Sequence, residues 1–152
     1  MPLPVVKVRP FTLRDQKAVV KLWNDCGLVV PVNDPIKDIR RKLKVQSKLF
    51  LVAVQEGRVV GTVMGGYGGH RGSINYLAVE PKLQKSGIGR LLMDKIEVLL
   101  RKMGCPKINL QVRESNLGVA AFYERIGYSR DKVVNYGKRL VHDEKPARKM
   151  RK

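Results

Sequence analysis

The chain reads as one α/β domain, a sheet flanked by about four helices, and three observations predict it. Its 152 residues suit a single domain with a sizeable core. Stretches with the two-residue period of strands alternate with stretches of helical period. Glycine or proline punctuates most of the boundaries between them.

Val5 to Phe11 alternates apolar and polar residues as an opening strand does. Thr12-Leu13-Arg14-Asp15 has the form of a capping box, so a helix follows. Val19, Leu22, Trp23 and Cys26 recur at spacings of three and four, which puts them on one buried face, and Gly27 ends the pattern. After a loop from Leu28 to Asn33, Asp34-Pro35 reads as an N-cap with proline at the first helical position. Ile36, Ile39 and Leu43 then share a face of the second helix.

The period next changes to two. Leu49 to Val54 and Arg58 to Met64 flank Glu56-Gly57 as the arms of an antiparallel hairpin. The five glycines between Gly65 and Gly72 predict a flexible loop, and Ile74 to Val79 resumes a strand. Ile88, Leu92, Ile96, Leu99 and Met103 follow helical spacing up to Gly104, and Lys107 to Val112 reads as the next strand. Residues 118 to 126 form a short amphipathic helix, and Val133 to Leu140 is expected to close the sheet.

Thirty-one Lys and Arg against 13 Asp and Glu leave a formal charge of +18, so acidic partners come into question. The basic residues are scattered and not interleaved with aromatics, which disfavours a nucleic-acid-binding module. Part of the excess sits in a tail, residues 143–152, where Lys145, Arg148, Lys149, Arg151 and Lys152 surround Pro146; the folded domain is expected over 1–142. No run approaches the roughly 18 apolar residues of a membrane span. The N-terminus lacks a secretory pattern, so no membrane and a cytoplasmic location are expected. Cys26 and Cys105 have neither the number of a disulfide framework nor metal-ligand spacing; they are expected to be buried reduced thiols, and no metal is expected.

Chemistry concentrates at Gln84-Lys85-Ser86-Gly87-Ile88-Gly89-Arg90, between a strand and a helix. Glycines let a backbone approach an anion, the unpaired amides at a helix start point outward, and Lys85 and Arg90 add positive charge. The spacing is neither that of a P-loop nor that of a dinucleotide fingerprint.

Gln84, Gly87 and Gly89 resemble the pyrophosphate loop of the GNAT superfamily of N-acetyltransferases, as do Tyr76 to Pro81 upstream, and Asn116 and Ala121 to Tyr128 downstream. The likeness runs over residues 5 to 140 in consistent order. Within the superfamily, Asn33-Asp34-Pro35, Gly61 to Tyr67, Gly69 to Gly72 and Gly137 to Leu140 are similar to the bacterial YpeA-type branch. This resemblance implies a mixed, mostly antiparallel sheet whose two central strands splay to admit the pantetheine arm of acetyl-CoA. It implies that Leu77, Ala78 and Val79 border that arm, that residues 84–90 (Gln84, Lys85, Ser86, Gly87, Ile88, Gly89 and Arg90) hold the pyrophosphate, and that Asn116 lies near the arm. An amine acceptor then attacks the thioester directly, and Tyr123 protonates the departing thiolate. A homodimer is also compatible with the resemblance.

The base is less defined. Relatives that modify ribosomal proteins carry Glu-Val-Arg where this chain has Gln111-Val112-Arg113, and Gln111 cannot take a proton. Glu80, Glu114, Asp34 and His70 are the alternatives, with Asn33 and Asp34 placed on the acceptor side by the resemblance. Two rival functions are a non-catalytic acyl-CoA sensor on the same fold and a basic nucleic-acid-binding module.

Overall fold

Residues 4–143 are described in the computed structural model. The tail residues Lys145, Pro146, Arg148, Lys149, Arg151 and Lys152 lie outside them. Among the described residues there are five strands: β1 (Val6–Pro10), β2 (Phe50–Gln55), β3 (Arg58–Tyr67), β4 (Gly72–Val79) and β5 (Ile108–Leu110). Four α-helices accompany them: α1 (Gln16–Asp25), α2 (Pro35–Leu43), α3 (Ile88–Lys102) and α4 (Leu117–Arg125). The sheet runs β1-β2-β3-β4-β5, antiparallel except for the parallel pair β4-β5. The mixed, mostly antiparallel sheet with four helices is the expected fold.

Local signals act where the sequence placed them. The capping box is present, with the Thr12 amide donating to Asp15 Oδ2 at 2.8 Å, although the first turn, Leu13–Asp15, is a 3-10 turn before α1 proper. Asp34 Oδ1 accepts the Ile36 and Lys37 amides at 2.9 and 3.2 Å and so caps α2. Glu56 and Gly57 both have positive φ, the two-residue turn that matches strand twist in a hairpin.

Three expectations are corrected. The glycine-rich stretch is largely strand, because Gly65 and Gly66 lie in β3, Gly72 opens β4, and only residues 68–71 form the turn. The glycines serve packing: a Cβ on Gly61 would lie 2.9 Å from a Leu92 methyl, on Gly65 2.7 Å from Ile96, and on Gly72 2.8 Å from Cys105 Sγ. Bare backbone thus lets α3 and the segment after it lie close on the sheet. Second, Val133 to Leu140 does not close the sheet. Val133, Val134, Tyr136 and Leu140 are exposed, and no ladder forms there because adjacent apolar residues and a glycine leave no buried face to set a register. Third, the cysteines are free but only half-buried.

Two cores result, one on each face of the sheet. Leu51, Ala53, Val63 and Ile74 pack against Leu92, Met93, Ile96 and Leu100 of α3. Phe50, Val52, Met64 and Ala78 pack against Val19, Leu22 and Trp23 of α1 and Ile39 of α2. Alternation along β2 sends successive side chains to opposite cores.

Candidate active site

The site begins where β4 and β5 part. Their parallel register runs only from Gly72↔Ile108 to Ile74↔Leu110, and beyond it the two strands carry no pairing although β4 continues to Val79. Residue 76 causes part of the divergence. Two residues of β4, Tyr76 and Leu77, stand opposite Val63 of β3, and Tyr76 has φ 50, the bulge conformation that bends a strand. Such a backbone is costly for a non-glycine residue, on the order of 1 kcal/mol. It is held by buried partners. Thr62 Oγ1 donates to the Tyr76 carbonyl at 2.8 Å and accepts from Trp23 Nε1 at 2.9 Å, while the Tyr76 ring stacks on Trp23 with centroids 3.8 Å apart.

Between the parted strands lies a cleft of about 670 Å³. Its floor is Asn75, Tyr76 and Leu77. One wall comes from α2, where Asp38, Arg41 and Lys42 share a face, with Val45 just past its end; the other is Arg113, Asn116, Val119 and Tyr123. The Glu80 amide donates to Val60 of β3 at 2.8 Å, so strand alternation turns the amides of Val79 and Leu77 to the unpaired edge, the side β5 has left. Ala78, by contrast, pairs with Thr62 and buries its methyl against the Trp23 core.

The loop 84–90 stands beside this edge. Lys85 and Gly87 have positive φ, and Gly87 is the N-cap of α3, its carbonyl accepting the Leu91 amide at 3.0 Å. The amides of Ile88, Gly89 and Arg90 therefore have no partner within the helix. Lys85, Ser86 and Arg90 are exposed. Gln84 Nε2 donates to the Val79 carbonyl at 3.2 Å and ties the loop to β4; Ser86 Oγ donates to the Leu83 carbonyl. Gly89 allows a close approach, since a Cβ there would meet the Phe122 ring at 3.3 Å and the ring would have to give by a few tenths of an ångström. Through that contact α4 seats Tyr123 at the cleft. Its ring is 8% exposed and edge-on to Phe122 and Tyr128, and burial pushes its phenol up to about 12. Asn116 lines the cleft and also caps α4 through the Val119 amide at 3.2 Å.

The candidate bases scatter. Asp34 is occupied as the α2 cap, Glu80 pairs with Arg58 at 3.1 Å, and Glu114 is exposed and outside the cleft lining. His70 is exposed in the β3-β4 turn, at the end of the sheet away from the splay. Asn33 does line the cleft, accepting from Arg139 at 2.6 Å. The carboxylate that faces the cleft is Asp38, which sequence reading passed over. Tyr76 Oη donates to its Oδ2 at 2.5 Å and Arg41 Nη1 to its Oδ1 at 3.3 Å. The partners are 38 residues apart, and no local pattern links them. Burial and the neighbouring Asp38 carboxylate hold the Tyr76 phenol protonated, well above its ordinary range.

The segment after α4 straps the cleft from outside. Asp131 pairs with Lys107 at 2.7 Å, Asn135 accepts from Gln111 at 2.6 Å, Arg139 reaches Asn33, and Asp143 takes a bidentate pair from Arg41 at 2.7 Å. Asp143, assigned by sequence to the tail, is thus buried against α2. Among the described residues no three His, Cys, Asp or Glu side chains converge as a metal site, and no helix is long and apolar enough to cross a membrane.

A five-stranded sheet opened between parallel strands, with a glycine-started helix at the opening, is the architecture of the acyl-transferring enzymes that the sequence resembles. The chain belongs to the acetyltransferase (GNAT) family, which it matches over residues 16–128, and it is an acetyltransferase of that family. Solved structures agree. An Ard1 from Thermoplasma volcanium is 25% identical, with 82% of each chain covered and a TM-score of 0.72. Glucosamine-6-phosphate N-acetyltransferase from Arabidopsis thaliana is 20% identical over 90% of this chain and 99% of its own, TM-score 0.67. The aminoglycoside N-acetyltransferase AAC(6')-Iy in complex with CoA is 13% identical over 91% and 97%, TM-score 0.73.

Proposed function

We propose that the protein transfers the acetyl group of acetyl-CoA to a primary amine by direct attack in a ternary complex. The observation that carries this reading is the cleft itself. Where β4 loses β5 it exposes unpaired amides along one edge, and that edge runs between the free amides of α3 and the Tyr123 hydroxyl.

On this reading the first-turn amides of α3, with Lys85 and Arg90 beside them, bind the pyrophosphate of acetyl-CoA. The amides of Leu77 and Val79 hold the pantetheine arm and, as preorganised donors, stabilise charge developing on the thioester carbonyl. Asn116 steadies the same arm. Tyr123 gives its proton to the sulfur as the carbon-sulfur bond breaks, and the nitrogen, on forming the carbon-nitrogen bond, sheds one proton to solvent, from which the phenol is reprotonated. A phenol held up to about 12 stays protonated across the working range. It is a weaker acid than in water, but the same dry surroundings raise the proton affinity of the thiolate, so donor and acceptor stay matched. The enzyme otherwise aligns two substrates. Asp38, the carboxylate in the cleft, replaces Glu80, Glu114, Asp34 and His70 as the group nearest the incoming amine in this reading. The YpeA-type branch belongs to the same proposal, supported by the sequence segments alone, as do a homodimer, compatible with the family resemblance, and a single domain, which extends past the expected boundary at 142 to include Asp143.

The test is calorimetric titration with acetyl-CoA, with thiol release measured on a panel of primary amines. The wild type is expected to bind, and Gly87→Val, which forces a branched side chain into φ 93, to bind at least tenfold more weakly. Tyr123→Phe is expected to bind normally and lose about a hundredfold in kcat. Absence of acetyl-CoA binding at low salt would sink the reading. An unchanged rate in Tyr123→Phe would remove the phenol from it and favour a binding-only sensor.

A further inference from the structure

We infer that the acceptor is a primary amine that itself carries a carboxylate or phosphate, and that Arg113 and Lys42 recognise this anion while Asp38 faces the amine. The inference rests on the transferase reading and adds the chemistry of its second substrate.

The charges of the cleft lining carry it. Three cations, Arg41, Lys42 and Arg113, stand against one carboxylate, Asp38. Arg41 is already spent: it holds Asp143 bidentately at 2.7 Å and reaches Asp38 at 3.3 Å. Lys42 and Arg113 are not neutralised. The Lys42 ammonium is half-buried and donates to the Gly65 carbonyl, a neutral partner, and burial lowers its pKa because nothing anionic offsets the lost hydration. The Arg113 guanidinium makes no hydrogen bond or ion pair among the described residues, although it lines the cleft on the wall opposite α2. Arg139, bonded to Asn33 at 2.6 Å, brings a further cation to the rim.

A surplus of positive charge in a concave site concentrates the field and selects by sign. A polycationic acceptor meets Lys42 and Arg113 as like charges, a repulsion that discriminates as effectively as a favourable contact. An amine with an attached anion satisfies both ends of the cleft at once. Its anion pairs with Arg113, whose fork suits carboxylate and phosphate, and with Lys42. Its amine approaches Asp38, which the Tyr76 hydroxyl orients from 2.5 Å. The two walls are supplied by segments far apart in sequence, α2 and the link from β5 to α4, so the pattern exists only in the folded chain.

The experiment measures both binding and turnover with matched pairs: glucosamine 6-phosphate against glucosamine, and an amino acid against its amide, with kanamycin as a polycation. Calorimetry on the protein saturated with CoA gives affinities, and thiol release with acetyl-CoA gives kcat and KM. Each anion-bearing member is expected to bind at least tenfold more tightly than its partner. Arg113→Gln is expected to erase most of that gap, the loss appearing in the KM of the anion-bearing member and not in its kcat. The sugar pair and the amino-acid pair together tell phosphate from carboxylate. Equal affinities within both pairs, or tighter binding of kanamycin, would overturn the inference. Anion-selective binding lost in Arg113→Gln but without turnover of any amine would leave the cleft assignment standing and remove the transferase reading instead.

Discussion

The α2 wall of the cleft and the start of α3 beside its open edge are made of different material. At the start of α3 the groups without a partner in the helix are backbone amides, set by Gly87 at φ 93 and admitted by the small Gly89 under Phe122. On the α2 side the groups that line the cleft are side chains, Asp38, Arg41 and Lys42, whose partners Tyr76, Asp143 and Gly65 come from distant parts of the chain. A backbone-built turn needs a short local pattern and tolerates many side chains. A side-chain-built wall can be specific for one acceptor and can change without disturbing the other substrate's site. The contrast fits a two-substrate enzyme in which one substrate is common to a family and the other is not.

Breaking the support of the α2 wall has the largest expected effect. Trp23 is fully buried, stacks on Tyr76 and Phe50, and donates to Thr62. Trp23→Ala is expected to lower unfolding stability by about 3–5 kcal/mol in urea titration. A loss below about 1 kcal/mol would show that the aromatic stack does not hold the bulge.

On the opposite wall the pH profile sharpens the role of Tyr123. Because burial raises its phenol to about 12, kcat is expected to show no falling limb between pH 8 and about 11. A descending limb near 10 that disappears in Tyr123→Phe would mean that bound substrate rehydrates the ring.

Thr62→Val keeps the shape of a fully buried side chain but strands the Trp23 indole donor and removes the donor to the Tyr76 carbonyl. A cost of about 1–3 kcal/mol is expected, with acetyl-CoA affinity unchanged and acceptor KM raised. Equal damage to both affinities would show that the α2 wall and the start of α3 are not independent.

The smallest effect lies outside the cleft. Arg9 hydrogen bonds hold the Asp15 carboxyl below its ordinary range, against the opposing effect of burial. A depressed folded pKa gives stability that is present above the unfolded value of about 3.9 and is lost as pH falls through the folded value. With Arg9 44% exposed, the pair is worth at most about 1 kcal/mol. Arg9→Gln is expected to flatten the stability curve below about pH 4 and to leave activity alone; an unchanged acid limb would assign it to other carboxylates.

Legibility in the sequence followed the same divide. Caps at Thr12 and Asp34, the Glu56-Gly57 turn, the apolar faces of α1 and α3 and the glycine pattern before α3 all act within a few residues, and each stands where local reading put it. The glycines of β3 misled because they resemble a loop locally, while their reason is α3 crossing the far side of the strand. Val133 to Leu140 misled in the opposite sense: its β-forming residues had no neighbour to pair with, and side-chain ties at 131, 135, 139 and 143 placed it instead.

The amino-acid sequence alone determined the class of this protein, the order of its elements up to α4 and the glycine-started turn before α3, because those depend on short-range sterics and on period. Only the tertiary structure decided how far β4 and β5 part, that Tyr76 takes a left-handed bulge, and that Asp38, Lys42 and Arg113 face one cleft. The reason is physical. Those features are set by contacts between residues tens of positions apart, and such contacts leave no periodic mark on the chain.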